Sequence, residues 1–286
     1  MGIFMRKCDI CISLTGYVYA PRIAQKKGAI IIMERGSKHI LEQKKILEKN
    51  PHKKNEAIPN RNIKCNLKAY QFANFISVAS QHVKESFLLH QYPENRIFVN
   101  PYGVDLSMFK PLPNIPKKYD VIMVGGWGYE KGCDLIVEAI RKTNYSFIHV
   151  GSIKDVDFPQ EKNFTHIDPV DQSKLIEYYN QAKVFILPSR QDGFGMVLSQ
   201  ALACNLPIIG SNNCGAPDLK KMVELPEYIT IIKDYTADAI VTAIHTAIKN
   251  YEQLGERIYA GNAIENLTWE AYGKRYANFL HKIIKQ

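Results

Sequence analysis

Short apolar runs alternate with helix-periodic stretches along almost the whole chain, and no other feature of the sequence restricts the fold as tightly. Strands are predicted at residues 8–14, 29–33, 75–79, 96–99, 120–125, 146–151, 164–167, 183–187, 206–210 and 229–232. Several are continuous apolar runs, the pattern of parallel strands covered on both faces. Helical patterns lie between them, for example at 132–142, 171–181, 194–204 and 236–250. Repeated strand–helix units predict a doubly wound α/β fold.

The segment Pro111–Leu112–Pro113–Asn114–Ile115–Pro116 stops any regular element and reads as a stiff linker. Residues 1–112 are therefore predicted to form one domain and 113–268 a second. The second holds about six predicted strands, enough for a whole sheet, whereas the first holds only about four, few for a dinucleotide-type domain. The first domain is accordingly expected to be truncated at its beginning. Residues 269–286 belong to an amphipathic helix in which Trp269, Tyr272, Tyr276, Phe279 and Leu280 recur mostly at spacings of three and four. That stripe predicts packing back toward the first domain.

Composition excludes several classes of protein. Hydrophobic residues make up 46% and charged residues 23% of the 286, as in an ordinary globular chain. No run of roughly 18 apolar residues is free of charge, so no membrane-spanning helix is expected. Arg6, Lys7 and Asp9 interrupt what would be the apolar core of a signal peptide. Cys8 and Cys11 form a CxxC, but no second pair or His cluster completes a zinc site, so reduced thiols in a cytoplasmic chain are expected. The net charge of +9 comes from one region: residues 22–68 hold thirteen Lys/Arg against four Glu. Such a stretch suits an anionic membrane leaflet, nucleic acid or a phosphorylated substrate, or is simply a solvated surface. No nucleic-acid motif accompanies it.

Two motifs carry chemistry. Val124–Gly125–Gly126–Trp127–Gly128–Tyr129–Glu130–Lys131–Gly132 follows a predicted strand and opens a helix. Glycines allow backbone amides to approach an anion, the helix start favours negative charge, and Lys131 adds a point charge for a phosphate. The second, Pro188–Ser189–Arg190–Gln191–Asp192–Gly193–Phe194–Gly195–Met196, also follows a strand, at the edge where open α/β sheets bind ligands. Gln200 lies about two helical turns beyond Asp192 and roughly on its face. An acid and an amide so placed can hydrogen-bond sugar or ribose hydroxyls; a helix cap and a surface Gln are the plainer alternative.

In order and on turns of one sheet, these motifs resemble those of family 4 glycosyltransferases, which have the GT-B fold of two Rossmann-like domains. The resemblance runs from about Tyr70 to Phe279. It includes Pro101–Tyr102–Gly103–Val104–Asp105, Phe109 and Pro111, then Gly125 with Lys131–Gly132–Cys133–Asp134. It continues through Tyr179, Ala182, Pro188–Ser189, Asp192–Gly193–Phe194–Gly195, Ala201, Pro207, Gly215 and Trp269–Glu270. It implies that the second domain binds a nucleoside-diphosphate sugar and the first an acceptor. Lys131 falls on the diphosphate position, Asp192 on the first acid of the family's Glu-x7-Glu element, and Gln200 on the second, which holds the ribose. Gly193, Phe194 and Gly195 would face the donor with their backbone. Two departures stand out: Gly126 replaces an Arg, and Asp192 and Gln200 replace the Glu pair. The missing diphosphate cation makes Arg190 and Arg35 the candidates to replace it. In the first domain, Glu34–Arg35–Gly36–Ser37–Lys38–His39 resembles a cleft-lining segment, and His39 is expected either at the acceptor or exposed in the first helical turn.

The resemblance implies a retaining hexosyltransferase with Asp192, Lys131 and His39 in the chemistry and Gly125, Gly126, Lys131, Arg190, Gly193, Phe194, Gly195 and Gln200 on the donor. It implies no metal and no cofactor besides the donor substrate. A lipid-linked or saccharide acceptor at the inner face of a membrane, reached through residues 22–68, would place the reaction in surface polysaccharide, lipopolysaccharide or glycolipid synthesis. No nucleic acid is expected. The rival expectation is a non-catalytic nucleotide-sugar-binding subunit that needs a partner chain.

Overall fold

A computed structural model describes residues 6–52, 58–254 and 261–285. The first part of the chain contains β1 (Ile10–Leu14), α1 (Tyr19–Lys26), β2 (Ile30–Arg35), α2 (Ile40–Glu48), α3 (Asn60–Phe72), β3 (Phe75–Val78), α4 (Gln81–Leu88) and β4 (Ile97–Val99). After the proline-rich segment come β5 (Tyr119–Val124), α5 (Cys133–Arg141), β6 (Phe147–Val150), β7 (Phe164–Ile167), α6 (Gln172–Asn180), β8 (Ala182–Leu187) and α7 (Met196–Ala203). Then follow β9 (Ile208–Ser211), α8 (Ala216–Lys220), β10 (Ile229–Ile232), α9 (Ala237–Leu254) and α10 (Trp269–Ile284). Every strand predicted from the sequence is present.

The strands form two wholly parallel sheets, ordered β1-β2-β3-β4 and β10-β9-β8-β5-β6-β7. The second order has a consequence for function. From β5 the chain winds outward through β6 and β7, then returns to β8 on the other side of β5 and winds outward through β9 and β10. Successive connections leave β5 and β8 in opposite directions, which opens a crevice outside their carboxyl ends, the ligand position of open α/β sheets. The two glycine-rich motifs follow β5 and β8 directly.

The central strands β5 and β8 of the second sheet are apolar on both faces through Val121–Met123 and Val184–Leu187, which are fully or almost fully buried. The first sheet has a core around Ile31, Met33, Ile76, Val83 and Phe87. The carboxyl-terminal helix α10 crosses back to cover the first sheet. Its Tyr276 and Ile283 pack on Ile32, and Phe279 stacks on Phe98 with ring centroids 4.1 Å apart. Such a ring pair adds roughly 0.5–1.5 kcal/mol beyond the area it buries. The chain passes between the halves twice, and the two passages touch. A Cβ on Gly103 would lie 2.4 Å from the Trp269 amide nitrogen, so only glycine lets them meet.

Candidate functional site between the two sheets

The two motif turns meet each other. Gly132 adopts φ +75°, a left-handed conformation that glycine takes without strain, and a Cβ there would lie 2.4 Å from the Pro188 carbonyl oxygen. This close approach brings Lys131, at the end of the first turn, to Asp192 in the second. Lys131 Nζ lies 2.5 Å from Asp192 Oδ2, with the two side chains 21% and 18% exposed. Burial works against the ammonium charge, but the Asp192 carboxylate outweighs it and holds the Lys131 pKa above its ordinary value.

Much of the backbone of the first turn is already bonded within the protein. The Trp127 amide donates to Ser152 O, the Gly128 amide to Cys133 Sγ, and the Tyr129 amide to Asp155 Oδ1. Behind the turn, fully buried His149 donates through Nε2 to the Gly125 carbonyl at 2.8 Å, while its Nδ1 lies 3.0 Å from His166 Nδ1. With Nε2 as donor, neutral His149 accepts from His166 through Nδ1. Burial first, then His166, lowers the His149 pKa to about 4.

Arg190 forms a bidentate pair with Asp134 at 2.6 and 2.7 Å, and its guanidinium lies 3.8 Å from the Tyr129 ring centroid. Its planar fork thus clamps the second turn to α5. Gln200 is 8% exposed and accepts from the buried Tyr179 hydroxyl at 2.9 Å, so the surface alternative for this residue does not hold. Asp192 does not cap α7, whose N-cap is Gly195 at φ +80°. Phe194 is buried and meets Tyr102 edge to face.

The first sheet supplies the opposite wall. Ser80 donates to Gly193 O at 2.6 Å, Lys38 to Asn213 at 2.6 Å, Gln191 to Ser37 at 3.0 Å, and the Gln81 amide to Asp218 at 3.0 Å. Gly193 packs directly on the Gly36 backbone: an added Cβ would lie 1.9 Å from Gly36 O. Arg35 turns into the first half. It donates to Lys38 O, Asn66 and Gln43, and lines a cavity of about 550 Å³ with Thr15, Glu34 and Gln43. His39 is neither exposed nor at the second sheet. It caps α2, is 5% exposed, and stacks on His90 with centroids 4.0 Å apart. Burial, then the neighbouring His90 and Arg35, push its pKa down to about 3.

A histidine outside both sequence motifs lies closer to Asp192. His82, on α4, is 8% exposed, and neither ring nitrogen makes a hydrogen bond of ordinary geometry. Burial and then Lys38 lower its pKa to about 3, with the Asp192 carboxylate and backbone pulling the other way. Its signal in the sequence was its place: it follows β3 as the motif turns follow β5 and β8.

The family profile described as "Glycosyl transferases group 1" matches residues 107–263, more than half of the chain. The chain belongs to this family. A probable sucrose-phosphate synthase of Thermosipho melanesiensis is 26% identical over 242 residues, covering 75% of this chain and 56% of that protein. The chain thus spans about half the length of this curated relative. Among solved structures, the sucrose-phosphate synthase of Thermosynechococcus elongatus matches with a TM-score of 0.70 at 17% identity, over 97% of this chain and 74% of that one. HepE of Anabaena, solved with UDP and glucose, matches with a TM-score of 0.70 at 15% identity, over 92% of this chain and 74% of that one. These likenesses give the fold: two parallel α/β sheets of the GT-B type.

Proposed function

We propose that this protein transfers a sugar from a nucleoside-diphosphate sugar to an acceptor hydroxyl with retention of configuration. The observation that carries the reading is the Lys131–Asp192 pair, formed where two glycine-rich turns meet beyond β5 and β8. HepE binds UDP and glucose on the same fold, which supports a sugar-nucleotide donor. In the reaction the bond between the anomeric carbon and the diphosphate oxygen breaks, and its electron pair leaves with the diphosphate. The acceptor oxygen bonds to the anomeric carbon, and its proton passes to the departing diphosphate. Lys131 stabilises the charge that grows on that leaving group. Asp192 orients the sugar or stabilises positive charge at its ring. Gln200, held by Tyr179, bonds the ribose through its amide.

A thermal-shift screen of nucleotide sugars tests donor binding, because a ligand of the folded state raises Tm. With the donor found, Lys131→Ala is expected to lower turnover by about 10²–10³-fold, the usual effect of removing one charge-stabilising group. Unchanged turnover would refute the assignment of Lys131. A second reading, a donor-binding subunit without activity of its own, is favoured by the neutral Gln200 at a position that the family fills with Glu. Turnover by the purified chain alone excludes it.

The acceptor is proposed to be lipid-linked or saccharide, in the synthesis of a surface polysaccharide or glycolipid, reached at an anionic membrane surface. Exposed Arg22, Lys26 and Lys27 around α1, and Arg61, Lys64 and Lys68 on α3, support this. Lys53 and Lys54 of the same basic stretch lie outside the described residues. Among the described residues no helix is long and apolar enough to cross a membrane. The chain is expected to co-sediment with phosphatidylserine vesicles at low salt and to be released as salt screens the charges. No co-sedimentation at low salt would remove the membrane from the reading.

A further inference from the structure

We propose that Lys154, on the loop after β6, supplies a second cation to the donor's diphosphate from the space above Gly126; this rests on the nucleotide-sugar reading. A diphosphate brings at least two negative charges to the first turn. The cations already described there are matched within the protein: Lys131 by Asp192, and Arg190 by Asp134. The amides of Trp127, Gly128 and Tyr129 are also bonded within the protein. Additional positive charge must therefore come from a side chain that reaches the turn without a carboxylate of its own.

Lys154 has that geometry. A parallel bridge joins Trp127 to Ile153, and the Lys154 amide donates to Trp127 O at 2.9 Å, so the two loops run side by side. The Lys154 side chain then lies across Gly126. A Cβ built on Gly126 would be 2.5 Å from Lys154 Cε and 3.1 Å from its Nζ. The ammonium thus occupies the volume into which a side chain at residue 126 would project. Lys154 is exposed and has no ion pair among the described residues. The adjacent Asp155 carboxylate is engaged elsewhere: Oδ1 accepts from the Tyr129 amide and Oδ2 from Asn50 Nδ2. The glycine at 126 and the lysine at 154 therefore make one feature. Absence of a side chain at 126 gives the lysine its seat on the turn.

The test is calorimetric binding of UDP, GDP and ADP, with uridine, guanosine and adenosine as phosphate-free controls, to wild type, Lys154→Ala, and Lys154→Ala combined with Gly126→Arg. Gly126 is not in the left-handed region, so once Lys154 is shortened an arginine fits there without backbone strain. For whichever diphosphate wild type binds, Lys154→Ala is expected to raise Kd about tenfold and to change nucleoside affinity by less than about twofold, and Gly126→Arg is expected to restore most of the loss. An unchanged diphosphate Kd in Lys154→Ala, or equal losses for diphosphate and nucleoside, overturns the role of Lys154 and leaves the donor reading standing. Failure of wild type to bind any of the diphosphates overturns the donor reading and this proposal with it.

Discussion

Three buried histidines make the stability of the fold depend on pH in a defined direction. His39, His82 and His149 are at most 8% exposed, and their pKa values fall from an ordinary 6.5 to about 3, 3 and 4. Burial is the leading cause for each. Its neighbours reinforce it at His39 (His90, Arg35 and Lys45, against Glu42), at His82 (Lys38, against Asp192) and at His149 (His166, against the bond to Gly125 O). Between pH 6.5 and these lowered values the unfolded chain takes up protons that the folded chain excludes. Stability is therefore full above about pH 6.5 and declines as the pH falls through 4 toward 3. At pH 5 the gap to the unfolded pKa is about 1.5 units, or about 2 kcal/mol per histidine, so roughly 6 kcal/mol is the upper bound for all three. Asp218 offsets part of this, because burial raises its pKa and it relaxes as it takes its proton. Urea unfolding at pH 7.5 and pH 5.0, followed by far-UV circular dichroism, measures the difference. His149→Gln keeps a donor for the Gly125 carbonyl without the titration and is expected to remove about a third of the loss. Equal stability at the two pH values, to within about 1 kcal/mol, would show that these imidazoles are not held neutral and refute the reasoning.

Gly193→Ala places a methyl group 1.9 Å from Gly36 O, so the halves must shift apart where Ser80 and Lys38 bridge them. A fall in stability of about 1–3 kcal/mol is expected, the usual cost of overpacking, and unfolding curves that overlay wild type would count against it. Gln200→Glu leaves the Tyr179 hydroxyl as donor but gives it an ionised acceptor, and charge-assisted bonds are roughly twice as strong as neutral ones. Tighter nucleoside binding by about 2–10-fold is the outcome expected by calorimetry, and weaker binding would place Gln200 away from the ribose.

The fold was largely legible because several of the parallel strands are continuous apolar runs that stand out from the helix-periodic segments that follow them. The starts of β1 and β9 and the end of β2 were less sharp, since strand ends depend on which residues find hydrogen-bond partners. Lys131 and Asp192 were legible as residues on turns of one sheet; that they meet across 61 residues of chain comes from the strand order, which makes β5 and β8 neighbours. Pairing partners were much less visible. Arg190 was a candidate for the missing diphosphate cation, and nothing in its neighbourhood in the sequence announces its partner Asp134, in the first turn of α5. For His39 both the acceptor site and an exposed first helical turn were open, because local pattern does not tell that α2 turns its ring inward against His90 and Phe87.

Gly126 shows why such departures need three dimensions. Along the chain it reads as the loss of a charge from the phosphate turn, which would weaken both donor binding and stabilisation of the leaving group. Across the sheet, β5 pairs with β6, so the loops beyond them are neighbours, and the loop after β6 carries Lys154 onto the vacated glycine. A positive charge can thus reach one point from either of two adjacent strand ends. An ammonium at the end of a flexible stem replaces a guanidinium fork here, so charge is kept while bidentate geometry is lost. The arginine of Gly126→Arg should favour binding in the lysine-free background and displace the Lys154 ammonium from the same space in the wild-type one. The single Gly126→Arg variant is therefore expected to bind the diphosphate no better than wild type, although it carries one more positive charge.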